Sequence, residues 1–374
     1  MPQLLIACEY PTLLGGERSM LATLGAVAAA GFDVQVAVPP NGPLADALKS
    51  QAVRHVPWQT HDDSGVRLPL EQLRADLTDL VTEVQPDLLH ANSLSTARIA
   101  GPVCVRSGVR SIGHFRDIVK LSPQVVADLN VHDQLIAVSR ATRDFHVAQG
   151  IDAPRCVVVH NGVDLELFRP RPRTGFLHRE LNLSPDVRLV ATIGQLGLRK
   201  GTDTALGAAW NVAEEVTDVH WLIVGERTST KQESHEFDSL LHTRAESVPL
   251  AGRVHFLGVR EDVAELLPEC DLLMHAARQE PLGRVLLEAA ACGLAIVATD
   301  VGGTREIFPE GEAILVRPDD STQLANETIA LLRDNDLRIS LGQSARRRAE
   351  NAFDVQQAAE RLIEQYQRTL RETH

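Results

Sequence analysis

The stretch Cys270–Gly303, CDLLMHAARQEPLGRVLLEAAACGLAIVATDVGG, decides the fold. "CDLLMHA" is a short apolar run of strand length, "ARQEPLG" breaks it, apolar residues then recur at helical spacing from about Gly283 or Arg284 to Cys292, and "LAIVATD" is again a strand. Two strands joined through a helix lie parallel, because an antiparallel pair needs only a tight turn. The stretch is therefore one βα unit of an α/β sheet.

The same alternation runs along the whole chain. Apolar, β-branched runs such as "QLLIACEY", "FDVQVAVP", "PDLLHAN", "VRSIGHF", "QLIAVS" and "RCVVVHNG" fall in the first half, and "VRLVATIGQ", "VHWLIVGE", "RVHFLG", "CDLLMHA", "LAIVATD" and "AILVR" in the second. Near-continuous hydrophobic strands are those of parallel sheets covered on both faces. About six strands are expected in each half, as two doubly wound, Rossmann-like domains. Between them "HNGVDLELFRPRPRTG" (His160–Gly175) breaks both periods at Pro170 and Pro172 and reads as a linker. The expected layout is a first domain over 1–168, a second over 169–350, and a C-terminal helix over 351–374 that returns to the first domain on a stripe of Val355, Ala359, Leu362, Ile363 and Tyr366. Ligands of such sheets bind at the carboxyl ends of the strands, so two of them imply a site in a cleft between domains.

The 374 residues suffice for two domains with sizeable cores, and no apolar stretch approaches the roughly 20 residues of a membrane-spanning helix. The N-terminus lacks a basic region and meets Glu9 early, so it reads as the first strand rather than a signal peptide. Five scattered cysteines without CxxC spacing suggest buried thiols in a reducing cytoplasm. A net charge of −13 excludes a general nucleic-acid binder, since phosphate contacts need a basic surface.

Several strand ends carry residues suited to an anionic, hydroxyl-rich ligand. Glu280 stands in the loop before the helix that follows "CDLLMHA", and Glu288 lies about one turn into it. Backbone N–H groups at that helix start form a natural anion site, and Gly283 lets a ligand approach the backbone closely. Glu288 is placed to accept hydrogen bonds from vicinal hydroxyls; a solvated helix position is the plainer reading, as is a dipole-satisfying charge for Glu280. "TIGQLGLRKGTD" follows a strand with a glycine-spaced turn and the pair Arg199 and Lys200, "YPTLLGGERS" places Gly15 and Gly16 after the first strand, and "TDVGGTREI" supplies Gly302 and Gly303. No DxD and no His/Cys cluster has metal-ligand spacing, and "HDD" at His61–Asp63 reads as solvated loop.

Together these residues resemble the retaining glycosyltransferases of the GT-B fold, glycosyltransferase family 4. The resemblance covers nearly the whole chain in the family's order: the Gly-Gly-Glu turn (Gly15, Gly16, Glu17), "DLLHANS", the "GHFRD" histidine, "IAVSRATRDF", "VVVHNGVDLELF", "GQLGLRKG", "WLIVGE", "HFLGVREDV", "EPLGRVLLEAAACGLAIVATDVGGTREI" and "AERLIEQY". It implies a nucleotide-diphosphate sugar, UDP- or GDP-linked, as co-substrate, bound chiefly by the second domain with no other cofactor and no metal. Lys200 would clamp the diphosphate, helped by the amides near Leu282 and Gly283 and by Gly16. Glu288 would hold the donor ribose, Glu280 the hydroxyls of the transferred sugar, and His114 would sit near the anomeric centre. His90 and His160 read as structural.

One residue departs from the family's pattern: Gln195 stands where an arginine is common, and an amide supplies neither the charge nor the bidentate grip of a guanidinium. Arg199, Arg278 and Arg284 are the candidates to compensate. The sequence shows no obvious nucleophilic carboxylate, so a same-face transfer, in which the leaving phosphate helps to deprotonate the acceptor, is the expected route to retention, with domain closure excluding water. The basic stretch from Arg98 to Lys120, with Arg106, Arg110 and Arg116, points to an anionic acceptor or an anionic membrane surface, against the plainer reading of a solvated face. The expected protein is a cytoplasmic hexosyltransferase, peripheral at the membrane if associated with it, monomeric or dimeric. A nucleotide-sugar 2-epimerase and a catalytically silent nucleotide-sugar binder are the alternatives.

Overall fold

The computed structural model describes residues 1–371, as two compact units. One comprises Met1–Gly162 with the C-terminal helix Val355–Arg371, the other Val163–Asp354. The second unit is closed at its base where Val163 donates its backbone N–H to Phe353 O at 2.8 Å and bridges to Asp354.

The first unit holds seven strands: β1 (Gln3–Ala7), β2 (Asp33–Val38), β3 (Arg54–Pro57), β4 (Leu88–Ala91), β5 (Arg110–Phe115), β6 (Gln134–Ala137) and β7 (Cys156–Val158). Every ladder is parallel, in the order β3-β2-β1-β4-β5-β6-β7. Successive side chains face opposite layers. Leu5, Ala7, Leu89, Ala91, Phe115 and Leu135 enter one core, and Leu4, Ile6, Leu88, Ile112 and Ile136 the other, which Leu362 and Tyr366 of the C-terminal helix complete. Six strands are expected here from the hydrophobic pattern, and the additional one is β3. This four-residue edge strand is exposed at both ends and half-buried between, so Arg54 and His55 interrupt the apolar run that betrays a central strand.

The second unit repeats the order with β8 (Arg188–Ile193), β9 (Val219–Val224), β10 (Val254–Gly258), β11 (Leu272–His275), β12 (Ala295–Thr299) and β13 (Ile314–Val316), arranged β10-β9-β8-β11-β12-β13. In each sheet the strand order reverses beside the first strand, between β1 and β4 and between β8 and β11. Connections leave to opposite sides at such a point, opening a crevice at the carboxyl ends of the two strands.

Candidate functional site

The switch point of the second unit gathers most of the residues singled out in the sequence. β8 runs into Gly194 and Gln195, then a short 3₁₀ turn, Leu198–Lys200. Gly201 follows in the left-handed region at φ +63°, and a Cβ there would stand 1.9 Å from Ala276 O, so only glycine lets this turn lie against the chain leaving β11. That approach brings Lys200 Nζ to 2.5 Å from Glu280 Oε2. The same oxygen lies 3.0 Å from Nε2 of His275, the last residue of β11.

Burial alone would raise the Glu280 carboxyl; the Lys200 ammonium and the His275 hydrogen bond outweigh it and hold the group well below the usual carboxylate range. His275 is pushed down, chiefly by burial, so the neutral ring donates its Nε2–H to Glu280. No motif in the sequence points to His275. Its one signal was position: a histidine closing a strand of otherwise apolar residues.

Glu280 is also held through its backbone. Gly303 donates its N–H to Glu280 O at 3.0 Å, and Gly302, at φ +53°, has no room for a Cβ, which would fall 1.9 Å from that oxygen. The helix Arg284–Ala291 starts beyond Leu282, which is buried, and Gly283, whose φ is +111°; no side chain caps it. Glu288 lies on this helix one turn in, where Arg284 Nη2 reaches its Oε1 at 2.6 Å. It is thus a paired residue rather than a solvated one.

The three arginines proposed to replace the missing guanidinium part ways here. Arg278 is committed to Asp203 through two bonds of 2.8 Å and to Asp319 at 2.6 Å. Arg284 is committed to Glu288. Arg199 has no ion pair or side-chain hydrogen bond among the described residues, and its charge is felt at His275. Gln195 itself donates to Thr228 Oγ1.

In the first unit, Gly16 opens a helix (Gly15–Ala29) and packs on Arg116, whose Cδ would lie 3.0 Å from a Cβ at that position. Arg116 is anchored by Asn92 O and Oδ1 and by Asn161 Oδ1, each at 2.9 Å. His114, near the end of β5, is buried; its Nδ1 lies 3.2 Å from His90 Nε2, and its Nε2 has no partner among the described residues. Burial, with the Arg116 charge beside it, drives His114 well below the ordinary histidine range. The basic stretch is partly neutralised from within: Arg110 pairs with Asp133 at 2.7 Å and Arg98 with Asp128 at 3.6 Å, leaving Arg106 and Lys120 exposed.

All five cysteines are buried and free, with burial pushing the Cys8, Cys104, Cys156 and Cys292 thiols up to about 12. Among the described residues no helix is long and apolar enough to cross a membrane, and no group of three or more His, Cys, Asp or Glu is placed to hold a metal ion.

The comparisons with known proteins follow the same division. The family model described as Glycosyltransferase Family 4 matches residues 14–167, and that described as Glycosyl transferases group 1 matches residues 174–348. The chain is 30% identical over 210 residues to the N-acetyl-alpha-D-glucosaminyl L-malate synthase of Bacillus anthracis, covering 56% of this chain and 51% of that protein. It is 30% identical over 253 residues to the alpha-maltose-1-phosphate synthase of Mycolicibacterium smegmatis, covering 63% of each. The chain thus spans about half the length of the first curated relatives it matches, 51% and 50%. Among solved structures, Anabaena HepE in complex with UDP and glucose superposes with a TM-score of 0.86 at 23% identity, over 98% of this chain and 100% of that one. The sucrose-phosphate synthase of Thermosynechococcus elongatus gives 0.81 at 21%, over 98% and 99%. Matched in order through both of its units, the chain belongs to the GT-B-fold glycosyltransferases, a family 4 domain followed by a group 1 domain.

Proposed function

We propose that the chain transfers a hexosyl unit from a nucleotide-diphosphate sugar to an acceptor hydroxyl, with retention and without a metal. The observation that carries this reading is the ion pair between half-buried Lys200 and buried Glu280 at a switch point, beside a helix start that no side chain caps. A diphosphate is the ligand such a site can use. It would draw Lys200 from Glu280, settle on the first-turn amides, and leave Glu280 held by His275 with acceptor capacity for the sugar's hydroxyls. Leaving-group charge would then be met by donors already fixed in place, which in transfers of this kind usually contribute more than any other effect. Glu280 would keep its hydrogen bond from His275 Nε2–H, which suits hydrogen bonding to hydroxyls better than attack on carbon and favours the same-face route. UDP is the first nucleotide to try, since HepE binds it. An acceptor bearing a carboxylate or phosphate is favoured by the names of the relatives, which carry L-malate and maltose-1-phosphate.

The test is a panel of UDP-, GDP- and ADP-sugars with chelator present, following nucleotide release and binding. One donor should be bound and slowly hydrolysed, and Glu288→Ala should weaken its binding by roughly 10- to 100-fold through lost ribose contacts. Failure of every donor to bind would remove the assignment; binding without turnover in the presence of L-malate and sugar-phosphate acceptors would point to the silent binder, and an epimerised donor to the 2-epimerase. The anomeric configuration of the product, read by NMR, decides retention.

Arg199 is proposed to take over the charge that Gln195 lacks. Arg199→Ala should raise the donor KM about 10-fold or more, the cost of a charge-assisted phosphate contact, whereas Arg278→Ala should act through stability instead. Equal effects on KM from both would contradict this division of labour.

A further inference from the structure

His90 and His114 lie on the same face of the first sheet. Register pairs His90 with Ile112, and His114 follows two residues later, so both point into the layer covered by the C-terminal helix. From that helix Tyr366 brings its hydroxyl to 2.7 Å from His90 Nδ1. The His90 and His114 rings are nearly coplanar, at 22° with centroids 5.3 Å apart, too far for face-to-face stacking and right for an in-plane N–H···N bond at 3.2 Å. Tyr366, His90 and His114 are 1%, 1% and 3% exposed, so bulk water has little access to them.

We propose that Tyr366 and His90 are positioning residues that fix the tautomer of His114, so that it presents Nε2–H, a hydrogen-bond donor, rather than a basic lone pair. The order of protons along the chain of rings requires it. The Tyr366 hydroxyl has no other hydrogen-bond partner among the described residues, and its proton would be orphaned in the interior unless it goes to His90 Nδ1. Nδ1 of His90 is then an acceptor, and a neutral ring carries its one proton on Nε2. That proton points at His114 Nδ1, which must accept, leaving the His114 proton on Nε2. The reverse order strands the tyrosine proton. Both rings are neutral: burial first, and Arg116 second, pushes His90 down to about 3 and His114 in the same direction. His114 Nε2 is a buried histidine nitrogen without a partner among the described residues, so the N–H that these residues orient is not consumed within the unit.

The functional use of that donor rests on the glycosyltransferase reading; the tautomer itself does not, and is measured on the free protein. Ring-¹⁵N spectra of histidine-labelled full-length chain should show both His90 and His114 protonated at Nε2. Tyr366→Phe should shift both signals towards the Nδ1–H form or a mixture. His90→Gln, whose carbonyl can accept from Tyr366 while its amide donates to His114, should keep His114 at Nε2–H; His90→Leu should release it. With the donor identified by the panel above, Tyr366→Phe and His90→Leu should lower kcat by about 10-fold or more while His90→Gln retains most of it. A wild-type His114 protonated at Nδ1, or one whose signals do not move in Tyr366→Phe and His90→Leu, overturns the proposal. Correct tautomers in a protein that consumes no sugar nucleotide would leave it standing and count against the enzymatic reading alone.

Discussion

Lys200→Ala is expected to lower both stability and turnover, and to do so with a particular pH dependence. Lys200 and Glu280 are 18% and 6% exposed, so removing the ammonium strands a carboxylate that has little water. Breaking such a pair from one side costs about 3 kcal/mol, the lower end of the range for buried pairs because Lys200 keeps some solvent contact. The sign of the pH effect follows from the depressed Glu280 carboxyl. Its stabilising contribution is complete above the ordinary value of 4.5 and is lost as pH falls towards the lower folded-state value. In Lys200→Ala burial dominates and the carboxyl rises, so the variant is penalised most at neutral pH. The gap in unfolding midpoint between wild type and variant should therefore be wide at pH 7, begin to narrow above pH 4.5 as the raised carboxyl of the variant takes up its proton, and go on narrowing below 4.5 as the wild type loses its own contribution. Turnover of the donor should fall about 100- to 1000-fold, as for loss of one fixed donor facing developing charge. A gap that stays constant from pH 7 to pH 4 would mean that Glu280 does not depend on Lys200 for its charge.

How far this pairing could be read from the chain is a matter of distance along it. Lys200 and Glu280 each stand out by local setting, a glycine-spaced turn and a helix approach, and the sequence implies separate duties for them. That they meet is a fact of topology: β8 and β11 are neighbours only because the strand order reverses between them. The same holds for His275, whose role exists only through Glu280, and for Tyr366. The latter lies on the apolar stripe of the last helix, as its spacing predicts, but no helical pattern distinguishes a tyrosine that fills a core from one whose hydroxyl also finds a histidine 276 residues away. Repeating strand and helix periods carry the fold openly because they are local. Arginine commitments are not: Arg278, Arg284 and Arg199 looked equivalent in sequence, and only the carboxylates that fold against the first two separate them.

The other large effect is expected from a residue with no side chain. Gly302→Ala introduces a Cβ 1.9 Å from the carbonyl oxygen of Glu280 and 2.9 Å from its carbon, whereas real Cβ atoms keep beyond 3.0 Å of such neighbours. The obstacle is backbone, not the yielding end of a side chain, so the Glu280 loop or the Gly302 turn must move by on the order of 1 Å. The neighbouring bond from Gly303 N to Glu280 O, now 3.0 Å, would be strained with it. Left-handed strain and overpacking together should cost about 2–4 kcal/mol, and a displacement of that size in a group that orients substrate should lower turnover about 100-fold. Gly252→Ala separates the two causes. Gly252 shares the left-handed conformation, at φ +77°, but a Cβ there meets nothing within 4 Å, so that variant bears the strain without the clash. It should lose about 1 kcal/mol and keep its turnover. If Gly302→Ala were no worse than Gly252→Ala in both measures, the close approach of the Gly302 turn would not be what sets Glu280. If it loses turnover while the unfolding midpoint moves only as far as in Gly252→Ala, the glycine is there for the position of one carboxylate, and the stability of the unit is secondary to it.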